Sequence, residues 1–179
     1  MYTVPEKHKE KAPQKLGFGI IVISSSKHRD FKKGAEVDDL SGKTAISLLE
    51  EKGHKVNYYI IVPDDKLHIL HAVSEALLRE DIDVVVTIGG TGLSATDITV
   101  ETLRPIFDKE VEGFGDVFRS ISFKEIGATS YMSRATAGVI AGKVVYCLPG
   151  SPHAVKTAIK ELILPEAGHL VYIARRDLR

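Results

Sequence analysis

The chain has a single cysteine, Cys147, and no surplus of charge, since 24 Lys plus Arg stand against 24 Asp plus Glu. One cysteine excludes an intrachain disulfide, and a reducing, cytoplasmic setting is the simplest expectation. Cys147 falls in the apolar run Val144 to Leu148, which predicts an inert core thiol. Balanced charge excludes the broad basic face that nucleic-acid binding needs. No stretch approaches the ~18 consecutive apolar residues of a membrane span. The first residues are charged and lack an apolar segment, so they do not read as a secretory signal. The histidines have no zinc-like spacing. A length of 179 residues fits one domain and lets roughly 70% of the unfolded surface be buried. Folding therefore needs no disulfide or structural metal.

What is present is an alternation. Residues 1–15, MYTVPEKHKEKAPQK, are polar and Lys-rich; they are expected to form a flexible arm before one domain spanning 16–179. Phe18 to Ile23 is a short continuous apolar run, as in a strand covered on both faces. Thr44 to Lys52 turns helical, with Ala45, Leu48 and Leu49 on one face and Gly53 as its stop. Val56 to Val62 is β-branched and aromatic, hence a strand. Residues 65–80 put Leu70, Val73, Ala76 and Leu77 on one helical stripe. Asp83 to Ile88 and Val144 to Leu148 are further strands. Ser151 then caps a last helix opened by Pro152, with Val155, Ala158, Ile159, Leu162 and Ile163 facing inward. This alternation predicts an α/β fold, a three-layer α/β/α sandwich around a mainly parallel central sheet. Residues 105–134 yield only a helix around Phe114 to Phe123, and this segment is the expected subunit interface.

Ligands of such sheets sit at the carboxyl ends of the strands. The loops there are Ser24-Ser25-Ser26, Pro63-Asp64-Asp65, Gly89-Gly90-Thr91-Gly92 running on to Ser94, Thr96 and Asp97, and Pro149-Gly150-Ser151-Pro152. Glycines after a buried strand let backbone N–H groups approach an anion. Gly89, Gly90, Thr91, Gly92 and Ser94 are thus candidates for one phosphate, and Gly150 and Ser151 for another. Asp64 and Asp97 suit Mg²⁺, which takes one or two carboxylates plus phosphate oxygens. Taken singly, each residue has a plainer role. Asp64 or Asp65 caps the next helix, Asp97 caps the helix holding Glu101, Ser151 is a cap and the glycines form a turn. Those roles leave unexplained why two acids and two Gly/Ser loops share one rim. The GGTG loop is neither a P-loop nor a dinucleotide fingerprint. Lys66 and Arg134 are further phosphate candidates, with a surface ion pair as the plainer role for Arg134.

The segments TIGGTGLSATDITVE, EVEGFGDVFRSISF, SRATAGV and LPGSPHAV follow in order. They resemble the molybdopterin adenylyltransferases of molybdenum-cofactor biosynthesis, most of all the MoaB type, with the MogA type a close relative. The likeness runs from about Leu16 to the C-terminal helix. It implies an enzyme that activates molybdopterin with Mg²⁺ and ATP, giving adenylated molybdopterin and pyrophosphate. It implies that Asp64 and Asp97 match the two acids needed for turnover, and the retention of the first, which some inactive relatives lack, favours activity. Asp39-Leu40-Ser41-Gly42 resembles the family's D-x-S-G near the nucleotide, so Asp39, Ser41, Gly42 and Ser24 are assigned to nucleotide binding. The family's usual Ser-Asp after the first strand is Ser24-Ser25 here, and Val100 stands where proline is frequent. A homotrimer or homohexamer, acting with other proteins of the pathway, is also implied. Two alternatives remain: a non-catalytic molybdopterin carrier or scaffold, and a nucleotide pyrophosphatase similar to that of competence-damage-like proteins. The FGDVFR and LPGSP contexts favour the transferase.

Overall fold

A computed structural model describes residues 11–177. In chain order the elements are β1 (Gly17–Ile23), α1 (Ser25–Lys32), α2 (Leu40–Glu50), β2 (Lys55–Val62), α3 (Lys66–Leu78), β3 (Val84–Ile88), α4 (Thr99–Leu103), β4 (Lys109–Glu110), α5 (Glu112–Ile126), β5 (Thr136–Ile140), β6 (Lys143–Leu148), α6 (Pro152–Ala158) and α7 (Leu164–Arg175). The strands form one sheet in the order β2-β1-β3-β6-β5-β4. The β1–β2, β1–β3 and β3–β6 pairs are parallel, while β5 runs antiparallel to both β6 and β4.

The continuous apolar runs are explained by two cores. Side chains alternate across a strand, so Phe18, Ile20, Val22, Val84, Val86, Val144 and Tyr146 enter one core, with residues of α2, α5, α6 and α7. Ile21, Ile23, Val85, Val145 and Cys147 enter the other, with residues of α3 and α4. Helices therefore cover both faces, as the three-layer expectation requires. The inward stripe of α3 is Ile69, Ala72, Val73 and Ala76; Leu70 and Leu77 are only half-buried, so the predicted stripe is rotated slightly. Leu162 is likewise half-buried, on the π-helical turn Ile159–Ile163 that separates α6 from α7. Residues 1–10 of the expected arm lie outside the described residues. Pro13 runs against α7, its carbonyl 2.6 Å from where a side chain at Gly168 would begin.

The topology places the site. From β1 the chain moves outward to β2, then returns to β3 on the far side of β1. The carboxyl ends of β1 and β3 thus flank a switch point, where such sheets open a crevice.

One turn departs from ideal chemistry. β5 and β6 join through Ala141 and Gly142, both with positive φ, 48° and 75°. The backbone twist of a two-residue hairpin demands this, and Asn-Gly is the favoured pair. The Ala141 N–H donates to Asp108 Oδ2 at 2.7 Å, which holds the turn. Ala141→Asn removes about 0.5–1 kcal/mol of left-handed strain. Calorimetry should show Tm raised by about 1–4 °C; an unchanged Tm would mean the loop has relaxed without that strain.

Candidate active site

The loops after β1, β2, β3 and β6 meet over the switch point. They line a cleft of about 710 Å³ together with the ends of α2 and α5. Asp64, Asp97, Gly89, Gly90, Thr91, Gly92, Gly150, Ser151, Ser24 and Ser41 all line it. Asp39, Gly42, Ser94, Lys66 and Arg134 do not.

The two acids are held differently, and neither plainer role applies. Asp65, not Asp64, caps α3: its Oδ1 accepts the Leu67 and His68 N–H groups at 3.1 Å. Asp64 turns instead to Ser25, whose N–H and hydroxyl both donate to Asp64 Oδ2 at 2.8 Å. The Asp64 N–H returns a bond to the Ser25 hydroxyl oxygen at 2.9 Å. Ser25, the departure from the family's Ser-Asp, therefore serves to orient the acid. Asp97 does not cap α4, whose N-cap is Ile98. Its Oδ2 accepts the Ser94 N–H at 3.0 Å, closing the loop and explaining why Ser94 sits behind the cleft. One oxygen of each acid, Oδ1, accepts no hydrogen bond among the described residues. Two such oxygens in one cleft fit the donor set of Mg²⁺, with phosphate oxygens completing it.

The glycine loop is anchored through its carbonyls. Thr99 Oγ1 donates to Gly89 O at 2.8 Å and the Thr99 N–H to Gly90 O at 2.9 Å. Arg134 Nε donates to Thr91 O at 3.1 Å and Nη2 to Asp97 O at 3.2 Å. The same guanidinium forms a fork with Glu101, Nη2 to Oε2 at 3.1 Å, and this bond holds the Glu101 carboxyl below the usual carboxylate range. Arg134 is thus a clamp behind the loop, in line with its plainer role. With the carbonyls anchored, the N–H groups of Gly90, Thr91 and Gly92 donate to no partner among the described residues. Ser151 caps α6 through the Ala154 N–H at 3.2 Å, and Ser41 Oγ donates to Gly150 O at 2.7 Å. Across the cleft stand Phe118, Ser122, Glu125, Ile126 and Met132, from a segment the sequence left largely unread.

Lys27 is the residue that sequence reasoning missed. It is the one Lys or Arg lining the cleft among the described residues. Its Nζ meets Asp39 Oδ1 at 2.6 Å, and the Tyr59 hydroxyl donates to Asp39 Oδ2 at 2.8 Å. A side chain at Gly42 would begin 1.9 Å from Asp39 Oδ2. Asp39 and Gly42 therefore build a buried socket for Lys27. Cys147 lies apart from all this; burial pushes its thiol up to about 12, as its apolar context predicts.

Residues 19–169 match the family described as a probable molybdopterin binding domain. The chain is 46% identical to the "Molybdopterin adenylyltransferase" of Pyrococcus furiosus, covering 95% of this chain and 98% of that one. It is 44% identical to "Molybdenum cofactor biosynthesis protein B" of Bacillus cereus, over 95% and 97% respectively. A crystal structure of a molybdenum cofactor biosynthesis protein B superposes with a TM-score of 0.85 at 44% identity, over 93% of this chain and 99% of that one. On the strength of that match along most of its length, the chain belongs to the molybdopterin-binding family of molybdenum-cofactor biosynthesis.

Proposed function

We propose that this protein is a molybdopterin adenylyltransferase, joining the terminal phosphate of molybdopterin to the α-phosphate of ATP. The observation that carries it is the meeting of Asp64, Asp97 and the unengaged glycine-loop amides in one cleft. A phosphate oxygen of the pterin bonds to the α-phosphorus, and the bond from that phosphorus to the pyrophosphate leaving group breaks. The attacking phosphate is already largely dianionic near pH 7, so no general base is required. Catalysis is then positioning and charge compensation. The amides of Gly90 to Gly92 hold one phosphate. The start of α6, with Gly150 and Ser151, holds another. Asp64 and Asp97 would hold Mg²⁺, whose chemistry here is to offset the repulsion between the two reacting phosphates. Lys27, held by Asp39, has further ammonium N–H groups that would donate to a nucleotide phosphate.

ATP as second substrate, Mg²⁺, a trimer or hexamer and a cytoplasmic setting belong to this proposal. The exposed apolar residues Val117, Phe123 and Tyr131 lie on the segment expected to form the subunit interface, which supports the oligomer. Light scattering that found only monomer would remove that part. Among the described residues no helix is long and apolar enough to cross a membrane.

The test is direct. Purified protein with molybdopterin, ATP and Mg²⁺ should release pyrophosphate in step with adenylated molybdopterin. Tight molybdopterin binding without ATP consumption would instead identify a carrier, and AMP release from ADP-ribose a pyrophosphatase.

Lys27 gives a sharper prediction. Lys27→Ala alone strands the buried Asp39 carboxylate, at a cost of about 3–5 kcal/mol in stability. Lys27→Met combined with Asp39→Asn should restore the melting temperature, yet leave KM for ATP raised about ten- to a hundred-fold, the scale of a lost charge-assisted bond. A double variant with wild-type KM would show that the lysine serves the fold alone.

A further inference from the structure

The α5 side of the cleft carries an acid, Glu125, whose local partners use little of its hydrogen-bonding capacity. Glu125 stands in the last turn of α5, which ends at Ile126, where the helix dipole disfavours negative charge. Thr157 Oγ1 lies 3.2 Å from its Oε2 and 3.5 Å from its Oε1, and His153 Nε2 is 3.8 Å from Oε2. A carboxylate has about four acceptor sites, so most of its capacity is unspent. Its side chain is 38% exposed. Ile126 and Met132, 52% and 42% exposed, line the same cleft. Two parallel acceptors beside exposed apolar side chains complement a flat heterocycle that offers two parallel N–H donors. The 2-amino-4-oxopyrimidine ring of a pterin has that edge, its 2-amino and N3 protons pointing the same way. Paired acceptors of this kind recognise paired donors with geometric selectivity.

We propose that Glu125 is the specificity-determining residue for the pterin ring. Its two oxygens accept the 2-amino and N3 protons, Ile126 and Met132 pack on the ring, and Thr157 steadies the carboxylate. The phosphate end of the substrate then points across the cleft to the glycine loop. This inference rests on the adenylyltransferase reading above.

Glu125→Gln separates the two possible roles. Glutamine keeps the length and an oxygen for Thr157, but sets an N–H₂ donor against a ring donor. The expected result is KM for molybdopterin raised about ten- to a hundred-fold, the range for loss of a bidentate pair, with KM for ATP and Tm unchanged. Glu125→Asp, which keeps two acceptors on a shorter arm, should retain more affinity than the glutamine variant. Unchanged KM for molybdopterin in an enzyme that turns over would overturn the Glu125 assignment alone. So would an equal rise in both KM values, or a lowered Tm with no selective loss, since those mark a purely structural acid. Absence of ATP-dependent pyrophosphate release in the wild-type protein would overturn the reading beneath it, and this inference with it.

Discussion

Asp97→Asn should reduce adenylyl transfer by about 10²–10³-fold, the scale seen when one preorganised electrostatic contact to a transition state is removed, while the fold stands. The geometry explains both halves of that expectation. Asp97 Oδ2 accepts the Ser94 N–H at 3.0 Å, and an asparagine oxygen can keep that bond. The loop therefore stays closed, and Arg134 still holds Thr91 O and Asp97 O from behind. What is lost lies at Oδ1, the oxygen without a hydrogen bond among the described residues, where a neutral N–H₂ replaces a charged acceptor. Asp64→Asn should behave alike, because the two hydrogen bonds donated by Ser25 at 2.8 Å can go to the amide oxygen. Ser25→Ala gives a graded control. It leaves the charge but removes the hydroxyl that orients it, and a loss of about 10–100-fold is expected for such a supporting contact. Pyrophosphate release measured beside circular dichroism checks the series. Near-wild-type turnover by either asparagine variant would remove the two-acid site.

How far the sequence revealed this follows from how local each feature is. β1, β3 and β6 could be read because both faces of each are covered, leaving short apolar runs bounded by breakers. α1 could not, since SSKHRDFK buries no residue and so carries no stripe. β4 has only two residues, inside the unread segment, and β5 is the short TAGVI just beyond it. The glycine loop and its acid were visible because its glycines, hydroxyls and carboxylate lie within ten residues of one another. Asp64 rather than Asp65 came from the family motif alone, because its physical cause, the bond to Ser25, spans 39 residues and leaves no local signal. The Lys27 socket joins Asp39 and Tyr59 across three elements, and no spacing rule reaches that far. Asp39 was found by motif, while its ion pair with Lys27 stayed hidden for the same reason. Arg134 was ambiguous until its fork with Glu101 and its bonds to two loop carbonyls were seen together.

Gly89→Ala should destabilise the protein by about 3 kcal/mol or more, combining a left-handed backbone penalty with overpacking. At φ 109° this residue passes between two strands, its N–H donating to Leu148 O at 2.9 Å. An added Cβ would lie 2.3 Å from Ile23 O, far inside contact distance. Relief requires the ends of β1 and β3 to part, and β1 leads directly into Ser24 and Ser25. The damage should thus spread to Asp64 and the cleft, lowering Tm by about 6–12 °C on the scale for a chain of this size and reducing turnover besides. Gly53→Ala isolates the backbone share: its φ is 80° but nothing lies within 4 Å of the added atom, so only about 1 kcal/mol is expected. If the two alanine variants melted together, the close approach of Gly89 to Ile23 would not be what shapes the switch point, and the tight crevice there would need another cause.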